Sequence, residues 1–439
     1  MKKLICLFLI LISLQFSFAQ GYKISVKIKN LKNAELYLGY YFANTEYMVQ
    51  SIKLNDKGEG TFEGKDKLSG GIYIVGVPNK FYFDIVIDDK QNFSFETDTN
   101  QVALNLNFKG SPENELFSKY NKFMINLEKE LSEKQKTMKN KADSMNISNE
   151  LGVKEKDYWT KVIKDNPKSF TASLLRMKYS FEKSDSVYLN EIDFTDAKLL
   201  RTPMFYMIIR RHIANYIETG SEKIIYENEK LLKLANQNKE VFQFVVSYLL
   251  DFYSTFYKIG MNDVFSFLAE KYFIPDKATW LDQKALTQIE KMNARMKASF
   301  VGQPAPDLKM ETIAGDSTSL YQVKTKYIML VFWSLGCGHC ETANFAIREK
   351  YPELKKKNVE IYSVNIDTRK DEWIKYCKDQ KFEWINCMDA QNKSSFCEMY
   401  YICSSPIAYL IDGKRTIIAR RYGEEQIKDL VEQILKNEK

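Results

Sequence analysis

Histidine is almost absent from this sequence, and cysteine is sparse. The 439 residues include two histidines, His212 and His339, and seven cysteines, with a single Cys-x-x-Cys spacing at Cys337–Cys340. Closed zinc sites take four thiolate or imidazole ligands, usually supplied by two closely spaced pairs. The second pair is missing here, so we expect no metal site.

The apolar run at the amino terminus is too short to cross a bilayer. Eleven residues, Leu4 to Leu14, follow Lys2 and Lys3, whereas a spanning helix needs about 20. Ser17-Phe18-Ala19 then provides the small residues of a signal-peptide cleavage site. An uncleaved anchor is the alternative, but the pattern favours a signal peptide over residues 1–19. The mature protein would then be soluble in the periplasm or cell envelope, where disulfides persist.

Neither sign of charge dominates the chain. There are 64 Lys and Arg against 57 Asp and Glu, and loss of Lys2 and Lys3 with the signal peptide lowers the formal charge from +7 to +5. The basic residues are scattered among acids, so we expect no nucleic-acid partner. With 439 residues, 45% of them hydrophobic, the chain is long enough for two to three folded domains.

Period-two hydrophobicity marks the first folded region, residues 20–110. Alternating apolar residues are typical of strands that bury one face. The runs are Ile24, Val26 and Ile28, then Ile72, Ile74 and Val77, then Phe81, Phe83, Ile85 and Ile87. Turn sequences at Asn55-Asp56-Lys57-Gly58 and Ser69-Gly70-Gly71 separate the runs. These patterns predict a small antiparallel β-domain that resembles a sandwich, with a half-barrel as the alternative.

Helical spacing replaces the alternation over residues 111–299. Ser111-Pro112 and Thr202-Pro203 each provide an N-cap followed by proline at the first helical position. Aromatic residues such as Phe244, Tyr248 and Phe252 recur in this region, where such a stripe is typical of a core. We therefore predict a central all-α domain.

Strand and helix signals alternate over residues 300–439. The predicted strands are 328–333, 359–367, 384–388, 408–411 and 417–420, and the predicted helices lie after Cys337 through 346, at 371–380, at 394–399 and at 424–435. Such alternation is typical of a sheet with helices on both faces. The sequence therefore predicts a multidomain protein with a carboxy-terminal α/β domain.

Cys337-Gly338-His339-Cys340 lies where a predicted strand, Tyr327 to Trp333, meets a helix. On the first turn of a helix, residues three apart share a face, so their sulfurs can form a disulfide with little backbone movement. The helix N-terminus also favours a thiolate at Cys337. This spacing predicts a dithiol redox site, with a purely structural disulfide as the alternative.

Four ordered segments resemble the TlpA/ResA-like thiol–disulfide oxidoreductases of the thioredoxin superfamily. These segments are Val301-Gly302-Gln303-Pro304-Ala305-Pro306-Asp307, Leu330 to Cys340, Val359 to Asp367, and Ser405-Pro406 with the strand after it. The resemblance implies a thioredoxin fold over residues 300–439. The two upstream regions loosely resemble the uncharacterised β-domain and helical domain that often precede such modules in exported proteins.

The resemblance implies a role for particular residues. Cys337 would be the attacking thiolate and Cys340 the resolving cysteine. Pro406 would be a cis-proline whose loop faces the disulfide, so that Ser405, Pro406 and Trp333 would contact the substrate. No cofactor is expected beyond the redox-active disulfide itself.

Two positions depart from the family pattern. Val331 stands where classical thioredoxins carry a buried acid, and Gly336 replaces the tryptophan before the first cysteine. Proton transfer to Cys340 would need another group, with Glu341, His339 or water as candidates. As a cation, His339 would stabilise the thiolate and make the disulfide more oxidising.

Four further cysteines, Cys377, Cys387, Cys397 and Cys403, allow three pairings. Cys377 shares a predicted helix with Trp373 and Ile374, which is typical of a buried free thiol. Cys403 lies three residues before Pro406. It would either pair structurally with Cys387 or Cys397, or relay electrons from Cys340.

The sequence predicts an exported enzyme that exchanges disulfides with envelope proteins, together with an unidentified thiol donor or acceptor. The resemblance leans towards a reductase, whereas His339 argues for an oxidase. A non-enzymatic envelope scaffold with a redox-gated terminal domain is the alternative. Thiol peroxidase is a third class. Its Pro-x-x-x-Thr/Ser-x-x-Cys motif is matched at Ser334 and Cys337, but Leu330 stands at the position of the proline. The two upstream domains are large enough to position partner proteins or to form a homodimer, and the sequence does not decide between these roles.

Overall fold

The structure, a computed structural model, describes residues 21–136, 140–181, 183, 188–255, 261–275, 277–391, 393–402 and 404–436. The predicted signal peptide and Cys403 lie outside these residues. Two compact units are present, Met1–Glu218 with Lys230–Val245, and Thr219–Glu229 with Val246–Lys439. The predicted domain boundaries at 110 and 299 stay predictions. Within the described ranges, no helix has the length and apolarity needed to cross a membrane.

Residues 22–109, all of them described, form two four-stranded sheets. The strands are β1 (Tyr22–Lys29), β2 (Glu35–Phe42), β3 (Thr45–Lys53), β4 (Glu59–Gly64), β5 (Gly71–Val77), β6 (Phe81–Ile87), β7 (Asn92–Asp98) and β8 (Asn107–Lys109). Their orders are β4-β1-β7-β8 and β3-β2-β5-β6. Strand β1 runs parallel to β7, and the other neighbours are antiparallel.

The two sheets share one apolar core. Ile24 and Phe95 come from the first sheet, and Leu38, Val75 and Ile85 come from the second. This core confirms the predicted sandwich, since the alternating residues of both sheets face each other. The single parallel pair is the exception to the predicted antiparallel pairing.

Helices follow the β-domain, as predicted. They are α1 (Pro112–Gln135), α2 (Lys141–Asp165), α3 (Phe170–Ser180), α4 (Pro203–Tyr216), α5 (Ser221–Ala235), α6 (Lys239–Thr255), α7 (Met261–Leu268) and α8 (Gln283–Lys297). The side chain of Ser111 accepts a hydrogen bond from the N–H of Asn114, and that of Thr202 accepts one from Phe205. Both predicted N-caps are therefore confirmed.

The carboxy-terminal region forms a seven-stranded sheet flanked by helices. Its elements are β9 (Lys309–Thr312), β10 (Ser317–Ser319), β11 (Tyr327–Trp333), α9 (Gly338–Lys356), β12 (Val359–Asn365), α10 (Lys370–Asp379), β13 (Ile385–Met388), α11 (Phe396–Met399), β14 (Ile407–Asp412), β15 (Ile417–Tyr422) and α12 (Gly423–Lys436). The strand order is β10-β9-β13-β12-β11-β14-β15. Strands β11, β12 and β13 are parallel, and the other pairs are antiparallel. Strands β9 and β10 escaped prediction because both are short and largely polar.

Strand β11 is buried on both faces. Met329, Val331 and Trp333 pack with apolar residues of α9, α10 and α12, whereas Leu330 and Phe332 pack on the opposite face. A central strand covered on both sides reads as a continuous apolar run, as this one does. The strand therefore gives a rigid base to the loop that follows its carboxyl end.

Candidate redox site

The structure joins Cys337 and Cys340 in a disulfide whose Cα atoms are 5.2 Å apart. Cys337 is the N-cap of α9, with extended backbone angles, and Cys340 lies on the first turn. The cap position directs the Cys337 sulfur towards the free N–H groups of the helix, with the N–H of Cys340 donating to it at 3.2 Å. A thiolate formed at Cys337 would be stabilised by the same N–H and by the helix dipole.

The two sulfurs differ in accessibility. Cys337 is half-buried, while Cys340 is fully buried among the apolar residues beneath α9. Gly336 and Gly338, on either side of Cys337, are exposed, and a Cβ added at either position would meet no neighbouring atom. An incoming disulfide can therefore approach Cys337 but not Cys340.

A second loop closes over the disulfide. The Ser405–Pro406 peptide bond is cis, as the resemblance implies, and the carbonyl oxygen of Ser405 lies 3.9 Å from the Cys337 sulfur. The Ser405 hydroxyl oxygen lies 3.4 Å from the Cys340 sulfur and 3.0 Å from the hydroxyl oxygen of Ser334. The N–H of Gly423 donates to the Pro406 carbonyl at 3.0 Å, which ties this loop to the start of α12.

His339 is highly exposed, and its Nδ1 pairs with the carboxylate of Glu424 on the first turn of α12. Glu424 was not among the predicted site residues. The two positions are 85 residues apart, and only the packing of α12 against α9 brings them together. In the sequence, Glu424 was marked only as an acidic residue in the first turn of a predicted helix.

Trp333 does not lie on the surface of the site, and the predicted substrate contact is therefore wrong for this side chain. It is 1% exposed, and its indole N–H donates to the hydroxyl of Ser363 at 2.8 Å. Its ring packs against Tyr376 and Phe382. Because successive residues of a strand face opposite sides, the last residue of β11 points into the same core as Val331.

Arg369 is a further residue that the sequence analysis missed. Its guanidinium donates to both carboxylate oxygens of Asp367 and to the carbonyl of Leu335, in the loop before Cys337. The hydrogen bonds from Arg369 lower the pKa of Asp367 to about 2. Both side chains, which follow the end of β12, are therefore charged at neutral pH. Through the Leu335 carbonyl, Arg369 anchors the loop that precedes Cys337.

Glu341 lies half-buried on the first turn of α9. Desolvation, followed by the nearby charge of Glu341, raises the pKa of Tyr376 to about 12. Val331, at the position of the acid of classical thioredoxins, is fully buried in the apolar core. The role of Glu341 in proton transfer stays a prediction.

The remaining described cysteines are free thiols. Cys377 and Cys387 are buried, and desolvation raises the pKa of each to about 12. The prediction of a buried free thiol at Cys377 is confirmed. Cys397 is exposed and also free. Cys387 and Cys397 are thus both free where the structure describes them, whereas Cys403 lies outside the described residues, so the role predicted for it stays a prediction.

Among the residues that the structure describes, no group of three or more histidine, cysteine, aspartate or glutamate side chains could hold a metal ion.

A thioredoxin-type sheet, a disulfide at a helix N-terminus and a facing cis-proline loop define a class of thiol–disulfide exchange domains. Comparisons with known proteins agree with this class. Residues 301–422 match the AhpC/TSA family, and residues 22–117 match a domain of unknown function, DUF4369. The thiol–disulfide oxidoreductase ResA of Bacillus thuringiensis is 28% identical over 156 residues, which cover 36% of this chain and 84% of that protein.

Solved structures are also similar to part of this chain. The thioredoxin domain of a thiol–disulfide oxidoreductase from Bacteroides vulgatus is 27% identical, covering 31% of this chain and 99% of that one, with a TM-score of 0.29. A domain of a possible thiol–disulfide isomerase from Cytophaga hutchinsonii is 32% identical, covering 30% of this chain and 92% of that one, with a TM-score of 0.28.

The carboxy-terminal region thus contains an AhpC/TSA thioredoxin-like domain, and its homologues are thiol–disulfide oxidoreductases of the ResA/TlpA type. The resemblance noted in the sequence is confirmed, and the amino-terminal β-domain belongs with the uncharacterised domains that the DUF4369 model describes.

Proposed function

We propose that the protein is an exported oxidoreductase that reduces disulfides in envelope proteins through Cys337. The observation that carries this proposal is the asymmetry of the pair, with an accessible sulfur on the helix N-terminus and a buried sulfur behind it. Support for export comes from the signal peptide that the sequence predicts over residues 1–19. The role of reductant rests on the ResA/TlpA-type domain.

In the first step, the Cys337 thiolate attacks one sulfur of a substrate disulfide, and the other substrate sulfur leaves as a thiolate. The N–H of Cys340 and the dipole of α9 stabilise the attacking thiolate. The loop at Ser405-Pro406 lies beside Cys337. An extended substrate backbone would bind along this loop, next to the attacking sulfur. In the second step, Cys340 attacks Cys337 and releases the substrate in reduced form. An external thiol then reduces the enzyme disulfide.

Trapping tests the proposed chemistry. In a Cys340→Ser variant the second step cannot occur, so covalent adducts should accumulate on Cys337 after incubation with envelope proteins. The exposed Cys397 could trap adducts by itself. The experiment therefore uses a Cys397→Ser background, with Cys337→Ser as the matched control and peptide mapping of the adduct. Absence of adducts, together with no turnover of any test disulfide by the wild-type chain, would refute the proposal.

The reduction potential of the pair tests the direction. A value near that of thioredoxin, about −270 mV, supports a reductant, whereas a value near that of DsbA, about −120 mV, would make the protein an oxidant. Equilibration with glutathione buffers, followed by alkylation and mass analysis, measures it.

A further inference from the structure

We infer that the hydroxyls of Ser405 and Ser334 form a relay that carries the proton of Cys340 to solvent during the second step. This inference rests on the proposed function, because it assigns residues to the resolution of the mixed disulfide. Ser405 would be a catalytic residue in contact with the reacting sulfur, and Ser334 a positioning residue that acts through it.

The need for a relay follows from the surroundings of Cys340. Its thiol must lose a proton before it can attack, because the thiolate is the nucleophile. Cys340 is fully buried among apolar side chains, where water does not reach it directly. Val331 occupies the place of the acid that classical thioredoxins use, and its side chain can neither accept nor donate a proton.

The geometry supplies a path of two hydroxyls. The Ser405 Oγ is 3.4 Å from the Cys340 Sγ, which is within the range of a sulfur hydrogen bond, and it is 3.0 Å from the Ser334 Oγ. Ser334 and Ser405 are both half-buried, so the path begins at a buried sulfur and ends at the rim of the site. A hydroxyl donates and accepts at once, which lets each serine pass on a proton as it receives one.

The sequence left His339, Glu341 or water as the candidates for this purpose. His339 is highly exposed and its Nδ1 is engaged with Glu424, whereas Cys340 faces the core. Of Ser405, His339 and Glu341, only Ser405 makes a side-chain contact with the Cys340 sulfur in the structure.

The Cys340 sulfur attacks Cys337, the bond between Cys337 and the substrate sulfur breaks, and the substrate sulfur leaves with the electron pair. The Cys340 proton moves to Ser405, the Ser405 proton moves to Ser334, and the Ser334 proton moves to water. The departing substrate thiolate takes a proton from water. The enzyme dithiol is oxidised to the disulfide, and the substrate disulfide has been reduced to two thiols.

The experiment follows the mixed disulfide directly. The reduced full-length chain, in the same Cys397→Ser background, is mixed with oxidised glutathione, quenched with acid at successive times, and analysed by mass spectrometry for the glutathione adduct on Cys337. We expect the adduct of Ser405→Ala to decay about 10²-fold more slowly than that of the wild type, the low end of a general-base effect. Ser334→Ala should slow the decay less, since Ser405 still contacts the sulfur.

Two controls separate proton transfer from a change in the loop. Ser405→Thr restores the hydroxyl and should recover most of the decay rate, and Ser404→Ala, next to the relay, should leave it unchanged. Adduct formation, measured in a Cys340→Ser background, should be the same with Ser405 or Ala at that position.

Wild-type decay in Ser405→Ala, or decay in Ser405→Thr as slow as in Ser405→Ala, would overturn the relay. Should Ser405→Ala fail to fold, unchanged decay in Ser334→Ala would overturn it instead. Failure of the proposed function looks different, because no adduct would form even in the wild-type chain.

Discussion

The carboxyl edge of the carboxy-terminal sheet and the apolar interior of the same domain both hold cysteines, and of these the pair at the edge is placed for chemistry. Cys337 caps a helix, where free N–H groups favour its thiolate. Cys377 and Cys387 lie among apolar side chains, and burial raises the pKa of each to about 12. The comparison indicates that the place of a cysteine in the domain, and not the residue type, determines whether its thiolate is favoured.

The largest expected effect is the loss of exchange in Cys337→Ser. A hydroxyl is not a nucleophile for disulfides, so the rate of disulfide reduction should fall by about 10³-fold or more. Cys377→Ala, which removes an interior thiol, should keep the wild-type rate in an insulin-reduction assay. Comparable losses in the two variants would abolish the distinction between edge and interior.

Alkylation of the reduced protein should separate the same two regions. At pH 7 an iodoacetamide time course should modify Cys337 at least about 10²-fold faster than Cys377 or Cys387, because a thiol with a pKa near 12 is almost wholly protonated. Cys397 should react at an intermediate rate. The residue is exposed, but partial desolvation of its thiol raises the pKa. Mass mapping of the labelled peptides gives the order, and early labelling of Cys387 would contradict it.

Trp333→Phe tests the interior immediately beneath the site. The variant loses ring area and leaves the Ser363 hydroxyl without its buried partner, so the free energy of unfolding should fall by about 1–2 kcal/mol. The KM for a disulfide substrate should stay within about twofold of wild type, because Trp333 is buried. Chemical denaturation and initial rates on the same preparation make the measurement. A raised KM at unchanged stability would return Trp333 to the substrate-binding surface.

Glu424→Gln should give the smallest effect at the edge. It removes the charge that pairs with His339, and an exposed pair of this kind contributes about 0.2–1 kcal/mol, which corresponds to less than about fivefold in rate. Glu425→Gln removes an equal charge one residue away, where the carboxylate pairs with Lys428 instead. Disulfide reduction should therefore slow slightly in the first variant only. Equal rates in the two variants would show that the pairing with His339 has no role.

Much of the fold followed from local patterns in the sequence. The alternation around Ile24 and Phe83 predicted the sandwich, because an antiparallel strand buries every second residue. Ser111 and Thr202 marked helix starts through the same cap geometry that the structure shows. The parallel β1–β7 pair could not be predicted, since nothing local determines which distant strand lies alongside β1.

The site was predictable only in part for the same reason. Spacing alone indicated that Cys337 and Cys340 would meet, because three residues on a helix fix their separation. Glu424 and Arg369 reach the site from other elements, and their contacts depend on how those elements pack. Trp333 was misassigned because a residue at a strand end lies near the site in sequence whichever face it occupies.

The sequence by itself determined the dithiol, the helix that carries it, and the alternation of strands and helices around it, all of which depend on neighbours within a few residues. Only the tertiary structure decided which sulfur is accessible and which hydroxyls lie beside the buried one. Ser334 and Ser405 are 71 residues apart in the chain, and they meet because β11 and β14 are neighbours in the sheet. Burial and long-range contact are properties of the packed chain, and no local pattern encodes them.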